Sequence, residues 1–251
     1  MLKLMKYELR KTWFTKLILL GITAVAEVVF LVGLYARQEN TLAIGTFLLF
    51  LLAFGGLMVM GIESVVVLHR DMNTKQGYML FMTPNSCYRI LGAKVLECGI
   101  SILLAGAFFF ALGALDVTLL FAKQGMLNLL WERLREVLTR MTFNGRPIVI
   151  DLGSVAAFFM TILAEWISMV TTAYLADVIS SALLNGKKFN GFISFLIFVA
   201  LSWGFSKLLE LVTGGIADTV TMMWIYSLLG IVIAAVMYWI TARIMEKYLS
   251  V

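Results

Sequence analysis

Apolar residues in this chain are gathered into six long segments that polar stretches separate. The segments cover about residues 17–36, 42–68, 95–121, 153–184, 191–212 and 221–242. An α-helix needs about 20 residues to cross a hydrocarbon core of ~30 Å, whereas a strand of a membrane barrel needs only ~9–11 residues of alternating polarity. The pattern therefore predicts an all-α integral membrane protein with six transmembrane helices. The fifth segment is the least regular, because Lys207 and Glu210 lie near its end.

Two further stretches have the periodicity of amphipathic helices. In MLKLMKYELRKTWF the apolar stripe is Leu2, Met5, Leu9 and Trp13, and the basic face is Lys3, Lys6 and Arg10. In residues 125–141 the stripe is Leu127, Leu130, Trp131, Leu134, Leu138 and Met141, and the polar face is Asn128, Glu132, Arg135, Glu136 and Arg140. Helices of this kind lie in the membrane interface. We expect an N-terminal interfacial helix and an external amphipathic helix; the alternative for the second is a short soluble helix that packs on other loops.

Composition agrees with the membrane class. Hydrophobic residues make up 61% of the 251 residues and charged residues only 14%, against about 25% charged residues in soluble domains. The net charge of +5 comes from basic residues beside the apolar segments, so membrane lipids explain it better than nucleic acid. Cys87 and Cys98 lack the spacing of a disulfide framework or metal site, and both are expected to be reduced.

The distribution of Lys and Arg predicts the orientation. With both termini in the cytosol, thirteen of these residues lie on the cytosolic side and six outside, with Lys207 left within a span. This bias follows the positive-inside rule. The segment Ala24-Val25-Ala26 resembles a signal-peptide cleavage site, but the apolar run continues to Ala36, so we expect an uncleaved span. Without repeats or linkers, residues 1–251 are interpreted as a single transmembrane domain.

The sequence contains no motif that indicates an enzyme. It has no G-x-x-x-x-G-K-[ST] phosphate-binding loop, and His69 is the only histidine, which excludes zinc sites built on two histidines. At the inner end of the second segment, His69 is expected to contact lipid headgroups. We therefore expect no catalytic residue, no metal and no directly bound cofactor.

The polar segment HRDMNTKQGYMLFMTPNSCYRILGAK, residues 69–94, lies between the second and third spans on the predicted cytosolic side. Asp71 or Asn73 can cap a short helix, and Pro84 ends it because Thr83 is biased away from the helical region. Ser86 can cap the next helix. The short helix would present an apolar cluster of Tyr78, Leu80, Phe81 and Met82. Such a cluster either binds a partner or packs on the inner ends of the protein's own spans.

The six spans, the N-terminal amphipathic helix and this loop resemble the permease subunit of type-2 ABC exporters. Loops of that family are similar to G-x-x-x-L-x-x-x-P-x-S followed by a lysine, and the corresponding residues here are Gly77, Leu80, Thr83, Pro84, Ser86 and Lys94. The acidic stretch that often precedes the glycine is replaced by Asp71 and Lys75. The resemblance implies a coupling helix at about 72–82 that binds a separate cytosolic ATPase, which would carry ATP and Mg²⁺. The implied coupling residues are Asp71, Lys75, Gly77, Tyr78, Leu80, Phe81 and Pro84.

The resemblance also implies a second permease subunit, identical or different, and a location in the bacterial plasma membrane. The 15 methionines suit an amphipathic peptide or other hydrophobic cargo, because thioethers adapt to varied shapes. Two alternatives stay open. One is an ATP-independent secondary transporter or channel, and the other is a peptide-binding immunity or scaffold protein of the membrane.

Two acidic residues lie deep within predicted spans. Glu27 is about eleven residues from Lys16, and Glu165 about twelve from the outer start of the fourth span, which places each ~16–18 Å deep. A charged side chain at the centre of the bilayer costs at least ~2.5–3.5 kcal/mol. Glu27 and Glu165 are therefore candidates for a hydrated translocation path. Alternatively, each is a structural acid, protonated or hydrogen-bonded to serine or threonine.

Overall fold

The computed structural model describes residues 2–73, 86–140, 142–143, 146–147, 152–184, 190–216 and 218–249. Within these residues the chain forms eight helices and two short antiparallel strands. The helices are α1 (Leu2–Lys11), α2 (Trp13–Ala36), α3 (Glu39–Asn73), α4 (Cys87–Lys123), α5 (Leu127–Arg140), α6 (Leu152–Leu184), α7 (Asn190–Thr213) and α8 (Thr219–Leu249). The strands are β1 (Thr142–Phe143) and β2 (Arg146–Pro147).

Six of these helices, α2, α3, α4, α6, α7 and α8, are long and apolar enough to cross a membrane. The predicted all-α membrane architecture is confirmed. The helices α3 and α4 extend well past the predicted spans 42–68 and 95–121, because polar residues such as Arg70 and Arg89 continue the helix beyond the apolar segment. Hydropathy thus located the apolar surface of each helix and not its ends.

The two predicted amphipathic stretches are helical. Lys3, Lys6 and Arg10 are exposed on α1, as the pattern predicted. On α5 Leu130 is buried, and Arg133 forms an ion pair with Glu136 at 2.9 Å. The location of both helices at the membrane surface stays a prediction.

The packing divides the chain into two compact units. Unit 1 contains Met1–Glu8, Gly61–Gly99 and Leu152–Val251, and unit 2 contains Leu9–Met60 and Ile100–Asp151. The division does not test the single-domain interpretation, which stays a prediction.

Unit 2 contains a closely packed antiparallel pair, α2 and the part of α3 up to Met60. The turn between them uses Arg37 in the left-handed conformation (φ 56°), and its N–H bonds to the carbonyl oxygen of Gly33. A Cβ atom on Gly33 would lie 2.4 Å from the backbone nitrogen of Leu42, and one on Gly45 2.6 Å from Cα of Phe30. The two backbones can approach this closely only because these residues are glycine.

Unit 1 is built around α6, which packs along α8 and α7. A Cβ atom on Gly230 of α8 would lie 3.3 Å from Cβ of Ala164, and the Thr161 hydroxyl donates to the carbonyl oxygen of Met223 at 3.2 Å. Near the other end of α6, Tyr174 is 1% exposed and its hydroxyl bonds to that of Ser64 on α3. Polar contacts of this kind fix the register between two helices, because apolar packing alone would allow several relative positions.

Candidate functional site

A buried ionic cluster joins the parts of α1, α3 and α4 that belong to unit 1. The Nζ atom of Lys94 on α4 donates to Glu8 Oε2 on α1 at 2.9 Å and to Asp71 Oδ2 on α3 at 2.6 Å. The residues are 2%, 4% and 5% exposed respectively. We call Glu8, Asp71 and Lys94 the Lys94 cluster.

The Lys94 cluster is held together by opposite charges. A buried ammonium group needs anionic acceptors, because desolvation of an unpaired charge costs several kcal/mol. Here one cation serves two carboxylates that are 86 and 23 residues away in the sequence. The cluster therefore links the N-terminal helix to the end of α3 and the beginning of α4.

Three other contacts fix the same helix ends. The Nδ1 atom of His69 lies 2.7 Å from Asp177 Oδ1 and links α3 to α6. The Tyr238 hydroxyl on α8 donates to the carbonyl oxygen of Tyr88, the second residue of α4. The carbonyl oxygen of Ser86 accepts the N–H of Arg89 at 2.9 Å, so α4 begins at the predicted position. His69, expected at lipid headgroups, thus has a protein partner.

The predicted coupling residues fall into two groups. Asp71 lies within α3 and its carboxylate is buried against Lys94, so it does not begin a separate short helix. The other coupling residues lie outside the described residues. They are Lys75, Gly77, Tyr78, Leu80, Phe81 and Pro84. What the structure adds is the firm attachment of both helices that flank residues 74–85.

Glu165 lies on an exposed face of α6. Its Oε2 atom accepts a hydrogen bond from the Tyr226 hydroxyl on α8 at 3.0 Å. Its described partner is thus a tyrosine, not the serine or threonine that the structural alternative expected. Since Glu165 is exposed within an apolar helix, an environment other than hydrocarbon is favoured around it.

Glu27 has a partner that the sequence reasoning missed. Its carboxyl group on α2 interacts with that of Asp116 on α4, within unit 2. Asp116 is 8% exposed, and among the described residues neither its Oδ1 atom nor Glu27 Oε2 has a hydrogen-bond partner. Asp116 is the only acidic residue in the third predicted span beyond Glu97. An acid within so apolar a segment could have marked Asp116 as a candidate site residue. Helical periodicity, however, does not show which acids on different helices contact each other.

Unit 2 also contains a cavity of about 460 Å³. Its polar lining includes Arg37, Glu39 and Lys123, and its apolar lining includes Leu42 and Leu120. Lys123 donates to the carbonyl oxygen of Leu34 and lies over the Tyr35 ring, 4.4 Å from the centroid. The lining can therefore accommodate a molecule with both charged and apolar parts.

No group of three or more His, Cys, Asp or Glu side chains that could hold a metal ion occurs among the residues that the structure describes.

Outside the spans, Asp218 precedes α8 and accepts the N–H of Thr221 at 2.9 Å. The Thr221 hydroxyl also donates to this carboxylate, and these bonds lower the pKa of Asp218.

Comparison of the chain with family models, with curated proteins and with solved structures found no match. The resemblance to exporter permeases therefore stays a prediction.

Proposed function

We propose that this chain is the membrane-spanning permease subunit of an ATP-driven exporter. Separate cytosolic subunits would bind ATP and Mg²⁺ and hydrolyse ATP, and residues 74–85 would be their contact. The permease would function as a homodimer or as one half of a heterodimer in a bacterial plasma membrane, with both termini in the cytosol.

The observation that carries this proposal is the anchoring of the two helix ends beside residues 74–85. Asp71 lies three residues before this segment and Lys94 nine residues after it, and the two side chains bond directly. His69 and Tyr88 connect the same ends to α6 and α8. A coupling segment must transmit displacement to the spans, and a segment attached to firmly linked helices meets that requirement.

The exposure of Glu165 supports the proposal that a second permease subunit is present. A carboxyl group on the exposed face of a membrane-length helix is costly against lipid. Contact with another subunit, or with a hydrated path between subunits, would remove that cost. We therefore propose that the face of α6 and α8 around Glu165 and Tyr226 lies toward the subunit boundary.

The cavity in unit 2 supports an amphipathic cargo. Its lining combines the basic side chains of Arg37 and Lys123 with apolar residues such as Leu42. A peptide or lipid-like molecule has the matching combination of charged and apolar parts.

The test is copurification of a soluble P-loop ATPase encoded beside the gene for this chain. Tyr78→Asp/Phe81→Asp places charge at the proposed contact and should weaken assembly by several kcal/mol. Trp131→Asp is the matched control, because Trp131 is an exposed aromatic residue on α5. Loss of the ATPase in the double variant and its retention in the control are expected. Unchanged copurification and unchanged stimulated ATP hydrolysis in the double variant would disprove the coupling role.

A second candidate is an ATP-independent secondary transporter. The Glu27–Asp116 pair favours it, because paired acids within spans are a feature that such a transporter would use to bind protons or cations. Transport in proteoliposomes driven by a proton gradient without ATP or ATPase would support this candidate. Transport that needs the ATPase and ATP would support the exporter.

A further inference from the structure

The pairing of Glu27 and Asp116 poses an electrostatic problem within unit 2. Both carboxyl groups lie on membrane-length helices, α2 and α4, and they interact with each other. Two carboxylates that share one weakly solvated site cannot both be ionised without strong repulsion. Some positive charge must therefore accompany the pair.

Among the described residues of unit 2, the basic residues on or next to α2 and α4 are too distant or already engaged. Arg37, which follows α2, is ten residues from Glu27, about 15 Å along the helix direction. On α2, Lys16 is eleven residues from Glu27, about 16 Å along the helix. On α4, Lys123 is seven residues from Asp116, about 10 Å away, and it donates to the carbonyl oxygen of Leu34.

The other ionisable groups in the unit 2 parts of α2, α3 and α4 supply no positive charge. Tyr35 lies eight residues beyond Glu27 on α2, and Lys123 stacks on its ring. The part of α3 that belongs to unit 2 contains one ionisable side chain, Glu39 at its first residue.

Nearby hydroxyl groups also do not donate hydrogen bonds to the Glu27–Asp116 pair, because each donates to a backbone carbonyl oxygen. Thr23, one turn before Glu27, donates to the carbonyl oxygen of Leu19 at 2.8 Å. Thr118, two residues after Asp116, donates to the carbonyl oxygen of Leu115 at 2.7 Å. Thr46 on α3 bonds to the backbone of its own helix in the same way.

An independent observation is the burial of an unpartnered acceptor. Asp116 is 8% exposed, and its Oδ1 atom has no hydrogen-bond partner among the described residues. The same is true of Glu27 Oε2. Buried polar atoms normally have a partner, and one that lacks a protein partner indicates a missing ligand or proton.

We infer that Glu27 and Asp116 form a proton-binding site, in which the two carboxyl groups share at least one proton at neutral pH. The shared proton lies in a charge-assisted hydrogen bond between the two groups, which removes their mutual repulsion. The ligand of this site is a proton, and no metal is required. The inference does not depend on the proposed exporter function.

The test uses dicyclohexylcarbodiimide, an apolar reagent that modifies protonated carboxyl groups within membranes. The full chain in nanodiscs at neutral pH should acquire an adduct on Glu27 or Asp116, located by peptide mass spectrometry. Glu27→Gln/Asp116→Asn should lose that adduct. Glu165→Gln is the control and should keep it, since Glu165 bonds to Tyr226 and not to a second acid.

Single variants show whether the proton is shared. Asp116→Asn removes the like charge and provides an amide donor, so Glu27 should ionise at lower pH and label less than in the unchanged chain across a pH series. Equal labelling at every pH would show that the proton belongs to Glu27 alone and would overturn the inference.

Infrared spectroscopy covers the case in which the reagent does not reach the pair. A carbonyl band of a protonated carboxyl group should be present at neutral pH and absent from the double variant. If neither the adduct nor this band is found, both groups are ionised and the site is not a proton site.

Discussion

The Lys94 cluster and the Glu27–Asp116 pair each bring two acids together, but they differ in how charge is balanced. In the Lys94 cluster one ammonium group bonds to both carboxylates. In unit 2 the two carboxyl groups meet, and none of the described cations of that unit lies beside them on α2, α3 or α4. Two acids close together in a membrane protein can thus form either a structural ion cluster or a site for an exchangeable proton. The position of the nearest lysine distinguishes the two.

The difference has an energetic consequence. A buried ion cluster that loses one member leaves an uncompensated charge, which is costly. A pair that holds its own proton loses little when one acid becomes a neutral amide of the same shape. Matched substitutions in the two regions should therefore have unequal effects on stability.

Lys94→Met should have the largest effect. It leaves Glu8 and Asp71 buried without their cation, and a loss of about 3–5 kcal/mol in the free energy of unfolding is expected. Thermal or denaturant unfolding in detergent measures this loss. Lys207→Met is the control, because Lys207 forms an exposed pair with Glu210 and should matter little. Adding Glu8→Gln and Asp71→Asn to Lys94→Met should restore part of the loss; no recovery would argue that packing, and not charge, is responsible.

The same substitution in the two regions gives the most direct contrast. Asp71→Asn removes a charged hydrogen bond from Lys94 and should cost about 1.5–3 kcal/mol. Asp116→Asn should change the free energy of unfolding by close to zero, because the group it replaces carries or accepts a shared proton. The two variants are compared at neutral pH in the same detergent. Equal losses would contradict the distinction between ion cluster and proton site.

A neutral contact, the hydrogen bond between Ser64 on α3 and Tyr174 on α6, gives a reference value for the ionic effects. Tyr174→Phe leaves the buried Ser64 hydroxyl without its partner and should cost about 1 kcal/mol, since a serine hydroxyl can turn to its own backbone. The double variant Ser64→Ala/Tyr174→Phe should lose less than the sum of the single variants. Strict additivity in equilibrium unfolding would show that the two hydroxyls do not stabilise each other.

The substitution Asp218→Asn should have the smallest effect on stability, and it tests an interaction that lies outside the spans. Because the Thr221 donors lower the pKa of Asp218, its contribution to stability is present above the unfolded value of about 4 and is lost as pH falls through the lower folded value. The unfolding midpoint of the unchanged chain should decrease slightly in this acidic range. Asp218→Asn should remove that part of the pH dependence; an unchanged acid profile would show that the cap does not contribute.

The sequence was sufficient to predict the helices but not the contacts between them. Apolar segments of membrane length predicted six spans, and 3.6-residue periodicity predicted α1 and α5. Glu27 was recognised as unusual because of its depth. Its partner Asp116 and the burial of Glu8 on Lys94 could not be predicted, because each contact joins residues 86 or more positions apart on helices whose relative rotation is set by packing.

The most direct test of the proposed coupling role is photocrosslinking from position 78 in native membranes. A photoreactive amino acid replaces Tyr78, and the same substitution at Glu132 on α5 serves as the control. An adduct between position 78 and a P-loop ATPase subunit, with none from position 132, is the expected result. If position 78 gives adducts only with lipid or with this chain itself, while the ATPase is present in the same membranes, the segment does not couple the permease to an ATPase and the account is wrong.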